Sequence, residues 1–107
     1  MKQIKIARNV YGFYKDIIPT LGYVYVNCYK CYKEYGIAIT ESIDYKGYYV
    51  LTDIETGLKA GKQFNKLKDA KSFMEHTEDI NFKEWYEELE KARKTKFYST
   101  YSKVNKL

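Results

Sequence analysis

The chain has 107 residues, a hydrophobic share of 45% and a formal net charge of +5. That length predicts one domain that buries a core without metals or disulfides, and it excludes a second catalytic domain. No apolar run approaches the roughly 20 residues that span a bilayer, so no membrane partner is expected. The amino terminus lacks the charged, apolar and small-residue regions of a secretory signal, which predicts an intracellular, cytoplasmic protein. Positive charge favours anionic partners such as DNA or RNA, although a balance of this size is also common in plain soluble domains. Of the 19 aromatic residues 13 are tyrosine, a side chain that packs like a hydrophobe yet still needs a partner for its hydroxyl.

Over residues 1–20 two periods compete. Ile4 and Ile6 alternate as a strand does, while Val10, Tyr14, Ile17 and Ile18 fall at helical spacing, with Asn9 as a cap and Pro19 as a stop. This reads as a short strand or arm followed by a short helix. From Gly22 to Tyr32 alternation is clear, with Val24, Val26 and Cys28 on one side and Tyr23, Tyr25, Asn27 and Tyr29 on the other. Further strands are predicted through residue 64, carried by Tyr35, Ile37 and Ile39, then by Tyr48, Val50, Thr52 and Ile54, then by Leu58, Ala60 and Phe64. Between the last two, Gly57 is placed in a tight hairpin at positive φ.

The period then changes. Leu67, Ala70, Phe73, Met74 and Thr77 form the stripe of a helix over 65–77 with Asn65 as its cap. A second helix over 81–97 opens on a capping box of Asn81 and Glu84 and carries Phe82, Trp85, Leu89 and Ala92 on its apolar side. Residues 75–90 hold seven acidic side chains against one lysine, and 91–107 hold six basic ones and no acid, an arrangement that suits the helix dipole. Residues 98–107 read as a basic tail. The expected fold is α+β: an antiparallel sheet of about four strands with two principal carboxyl-terminal helices, at least one packed on the sheet.

Reactive chemistry is sparse. Cys28 and Cys31 form one C-x-x-C, a spacing that suits a tetrahedral zinc only when two more ligands arrive. On a regular strand they face opposite sides, so structural thiols are preferred over a metal clamp or redox work. His76 is the only histidine and lies at the polar end of a predicted helix. Glu84, Glu87, Glu88 and Glu90 have the spacing of a solvated helical face, and residues 57–62 lack the interval of a phosphate-binding loop. Neither an enzyme nor a cofactor is expected.

What remains is a surface. Tyr23, Tyr25, Tyr29 and Lys30 lie on or beside one strand face, with Lys33 and the tail residues Arg93, Lys94, Lys96, Tyr98 and Tyr101 as candidate neighbours. Aromatic faces stack on unpaired bases while cations hold phosphates, and tyrosine patches with basic rims also serve as protein-binding hot spots. A third reading has one helix covering each sheet face, with these tyrosines packed beneath.

The run from Tyr49 to Leu58, followed by that from Phe64 to Phe73, resembles a pattern of small proteins from phages and mobile elements of AT-rich Gram-positive bacteria. Some of those proteins are inhibitors of host defence, including anti-CRISPR proteins that bind a nuclease complex. The resemblance implies a non-enzymatic binder of a host protein or ribonucleoprotein complex and carries over no individual site residue. A module that binds DNA or RNA directly is the alternative.

Overall fold

A computed structural model describes residues 2–9, 21–95 and 104–105. Strands β1 (Lys2–Asn9), β2 (Leu21–Tyr32), β3 (Ile37–Glu41), β4 (Tyr49–Asp53) and β5 (Lys59–Phe64) form one antiparallel sheet in that spatial order. Helices α1 (Leu67–Glu75) and α2 (Ile80–Arg93) follow. The α+β expectation holds, with five strands. The amino-terminal stretch supplies the additional one, because Ile4 and Ile6 pair with Val26 and Val24 and extend the apolar side of β2. The helix expected over Val10 to Pro19 lies outside the described residues.

Two cores share the sheet. On one face Ile37, Ile39 and Leu51 pack with Ala60 against Ala70 and Met74 of α1 and Phe82 and Leu89 of α2. On the other, Ile4, Ile6, Val26, Cys28, Ala38 and Ile54 form a separate cluster. Each fully enclosed aliphatic side chain contributes about 1.5–3 kcal/mol relative to exposure. Strands β3 and β4 are therefore buried on both sides, and there the polar positions of the alternation carry buried threonines. Thr40 and Thr52 satisfy each other through a 2.9 Å hydroxyl contact. The sheet also rolls. Ile6 of β1 lines the same small cavity as Val50 and Thr52 of β4 and Lys59 of β5.

The roll is pinned at its edge by Asn105. Its Oδ1 accepts from the Lys5 amide (2.8 Å), and its Nδ2 donates to the carbonyls of Lys5 (2.7 Å) and Ile54 (2.9 Å). One side-chain amide thus completes β1 on the side where, among the described residues, no strand pairs with it. Next to it, the Val104 amide donates to Glu55 O at 2.7 Å.

Two irregularities shape the strands. A bulge in β2 inserts one residue between the pairs Cys28↔Thr40 and Lys30↔Ile39, so that Cys28 and Cys31 come to the same face, opposite Thr40 and Ala38. This corrects the expectation of opposed cysteines, which assumed an unbroken period of two. The β4–β5 hairpin turns as predicted. Gly57 has φ +72°, and its amide donates to Asp53 O at 2.8 Å.

The helix starts differ from those expected. Lys66, without a side-chain hydrogen bond, stands at the cap of α1 in place of Asn65. Asp79 caps α2, its carboxylate accepting from the Asn81 amide at 2.8 Å, so Asn81 lies inside the helix. At the other end of α2, Arg93 ties the helix to the sheet. Its Nε and Nη2 donate to Asp53 Oδ1 (3.1 and 2.8 Å), Nη2 also to Tyr35 O (2.7 Å), and Nη1 to Glu90 Oε1 (2.7 Å). The other oxygen of Asp53 accepts from the Thr56 amide and hydroxyl. Among the described residues, no helix is long and apolar enough to cross a membrane.

Candidate binding surface

Both helices lie on the same sheet face, packed on a core that draws on β2 to β5 and includes no residue of β1. The reading in which one helix covers each face does not hold, since α1 and α2 share one face. What the helices leave open belongs to β1, the first half of β2 and the β3–β4 loop. Register sets its side chains: Lys5 opposes Tyr25 and Gln3 opposes Asn27, while Ile4, Ile6, Val24 and Val26 point to the other core. Tyr23 and Tyr25 are exposed at 41% and 62%, high for aromatic rings on a central stretch of sheet. Lys5 Nζ stands 5.6 Å from the centroid of the Tyr25 ring.

Further along β2 the bulge residue Tyr29 meets Tyr49 of β4 edge to face, with centroids 5.1 Å apart. Burial, then the Glu41 carboxylate, then Tyr49 push the Tyr29 phenol above its ordinary pKa, so it remains a neutral donor. Glu41 itself is held by Asn27, whose backbone amide donates to Oε1 at 3.2 Å. Tyr29, Glu41 and Tyr49 wall a surface groove of about 390 Å³ completed by Ser42, Ile43, Lys46, Gly47 and Tyr48. The loop is shaped locally. Ser42 Oγ accepts from the amides of Asp44 (3.3 Å) and Tyr45 (3.1 Å), and the Ser42 amide donates to Tyr48 O at 3.0 Å. That turn leaves Ile43, Tyr45 and Tyr48 exposed, with the two tyrosine rings in edge contact at 6.2 Å.

The structure brings together only part of the set picked from sequence. Tyr23, Tyr25 and Tyr29 share the strip. Lys30 lies at the seam with α1, paired with Glu75 at 3.1 Å and set over the Tyr32 ring. Lys33 is exposed in the turn after β2, beyond the strip. Arg93 is committed to the Asp53 clamp, and Lys94 is exposed just past α2. Lys96, Tyr98 and Tyr101 lie outside the described residues. Ile43, Tyr45, Tyr48 and Tyr49 belong to the surface although sequence reasoning missed them. Three tyrosines within five residues, Tyr45, Tyr48 and Tyr49, across the end of the loop and the start of β4, were the available signal.

The strip carries Lys5 and Lys46 against Glu41, a small net positive charge. Three contacts engage its rings: Lys5 with Tyr25, Tyr29 with Tyr49, and Tyr45 with Tyr48. Such a surface buries apolar area while making directed hydrogen bonds. Among the described residues, no three His, Cys, Asp or Glu side chains gather in a way that could hold a metal ion. His76 Nδ1 donates to Ser72 O at 2.7 Å, at the exposed end of α1. No family model, curated protein or solved structure matches this chain.

Proposed function

We propose that the protein is a non-enzymatic binding module that docks its tyrosine strip onto a protein partner. The class suggested by its sequence resemblance is an inhibitor from a phage or mobile element, acting in the host cytoplasm on a nucleic-acid-handling defence complex. The observation that carries the binding role is the exposure of Tyr23 and Tyr25 on the helix-side face of β2 and of Tyr45 and Tyr48 on the β3–β4 loop, Tyr48 also lining the groove. Exposed tyrosines concentrated in one patch are the residue type from which protein hot spots are built. A net charge of only two lysines against Glu41, and ring pairs at Tyr29–Tyr49 and Tyr45–Tyr48, favour a protein over a nucleic-acid strand, which calls for a cationic track and open ring faces.

The test is affinity capture from nuclease-treated host lysate with the native chain and with a Tyr25→Ser/Tyr48→Ser variant. Salt titration against a labelled single strand runs in parallel. A partner that survives nuclease and is lost with the two tyrosines supports the proposal. Tight single-strand binding that weakens steeply with salt overturns it in favour of direct nucleic-acid recognition.

A further inference from the structure

We propose that Cys28 and Cys31 are a reversible dithiol site which closes into an intrachain disulfide with a small-molecule disulfide as oxidant, stapling the bulge of β2. Residues three apart on a regular strand point to opposite sides. Here the inserted residue restores them to one face, and the two Sγ atoms approach to 3.3 Å while remaining thiols. Rotation of the side chains, together with tightening of a bulge that is already irregular, brings that separation to the bonded one.

Access differs between the two. Cys28 is buried and Cys31 is half-exposed, which orders the steps. Cys31, its proton lost to solvent, attacks one sulfur of the oxidant. The oxidant's S–S bond breaks, and one small thiolate leaves and is protonated. Cys28 then gives up its proton and attacks the Cys31 sulfur of the mixed disulfide, expelling the second small thiolate. Two protein thiols are oxidised, one small disulfide is reduced to two thiols, and the two protons lost by the protein are balanced by those the small thiols gain. Reduced glutathione in excess runs the sequence backwards.

The ring closed by this bond contains Tyr29 and Lys30. Tyr29 packs on Tyr49 at the centre of the opposite face, and Lys30 pairs with Glu75 of α1. A staple on one side of the sheet thereby restrains the residues that join the tyrosine strip to the helices on the other. The thiol chemistry stands whether or not the strip is a binding surface.

The native chain is equilibrated with oxidised and reduced glutathione in varied ratio, quenched in acid, alkylated and weighed by mass spectrometry. Expected is a species lighter by two hydrogens with no alkylated cysteine, reverting under reductant. Slower hydrogen exchange at the amides of residues 29–31 should accompany it. The Cys28→Ala variant should instead stop at the glutathione adduct on Cys31, and Cys31→Ala should form its adduct at the buried Cys28 far more slowly, which together give the order of attack. A persistent adduct on the native chain, two alkylated thiols under strongly oxidising buffer, or a disulfide that leaves exchange at 29–31 unchanged overturns the proposal.

Discussion

Replacing Arg93 with methionine keeps the length of the side chain and its packing beside Tyr86, and deletes every donor of the clamp. Asp53, only 3% exposed at its side chain, then loses both guanidinium bonds to Oδ1, and Tyr35 O loses its donor. Breaking a buried ion pair from one side typically costs about 3–5 kcal/mol, because the remaining charge stays desolvated. Two features place this case at the low end. Arg93 is itself 19% exposed, and Asp53 keeps two donors from Thr56. The working figure is about 3 kcal/mol, or a fall in Tm of roughly 12 °C for a domain of this size. Calorimetry and urea unfolding measure it, and a double-mutant cycle with Asp53→Asn isolates the pair, with a coupling of about 1.5 kcal/mol or more expected. Molar salt should leave the loss largely intact, since a pair this enclosed is weakly screened. A Tm for Arg93→Met within about 2 °C of the native value, or additive single and double variants, would refute the clamp.

Gly36→Ala should lower stability by about 1–2 kcal/mol for its left-handed backbone alone. Its φ is +67°, and a Cβ there stands 3.0 Å from Arg93 Nη2, so the penalty measured by urea midpoint should shrink in the Arg93→Met background. Tyr32→Phe removes a buried hydroxyl that has no hydrogen-bond partner among the described residues, so the variant should be as stable as the native chain or up to about 1 kcal/mol more so at neutral pH. Burial first, then Glu75 and Glu34, push the Tyr32 phenol from 10.0 up to about 12. Between those values the unfolded chain releases a proton that the folded one retains. Native stability therefore falls as pH rises through that window, and Tyr32→Phe should flatten the fall in alkaline melts. Asn105→Ala removes three hydrogen bonds at the outer edge of β1 and should cost about 1–3 kcal/mol, with the earliest gain in hydrogen exchange at the Lys5 amide.

Much of this fold could be read from local pattern, because local pattern is what half-buried strands and amphipathic helices express. The alternation of β2, the Gly57 hairpin and the stripe of Ala70 and Met74 each follow from one element's own sequence. What escaped depends on neighbours. Tyr48 was read with Val50 as part of one inward row, yet β4 begins at Tyr49 and is enclosed on both sides, which leaves Tyr48 to the loop. The bulge at Tyr29 was invisible because an inserted residue shifts the phase without changing composition, and with it went the true relation of Cys28 to Cys31. Arg93 looked like part of a basic tail. Only a contact forty positions away, to Asp53, turns it into a structural residue. For the surface, the tyrosines of β2 were found by period alone, whereas Tyr45 and Tyr48 required knowing where the helices stop.

The strictly sequential order of the sheet also has a kinetic consequence. Every strand finds its partner in the next segment of chain, and the longest gap between paired strand ends is that from Asn9 to Leu21. Loop closure at each step is therefore inexpensive in entropy, and hairpins can zip one after another without waiting for a remote segment. The slow remainder is the docking of α2, whose clamp at Arg93 must reach back across the already formed meander. Assembly should show rapid hairpin formation followed by a later, helix-dependent locking of the β2–β3 turn.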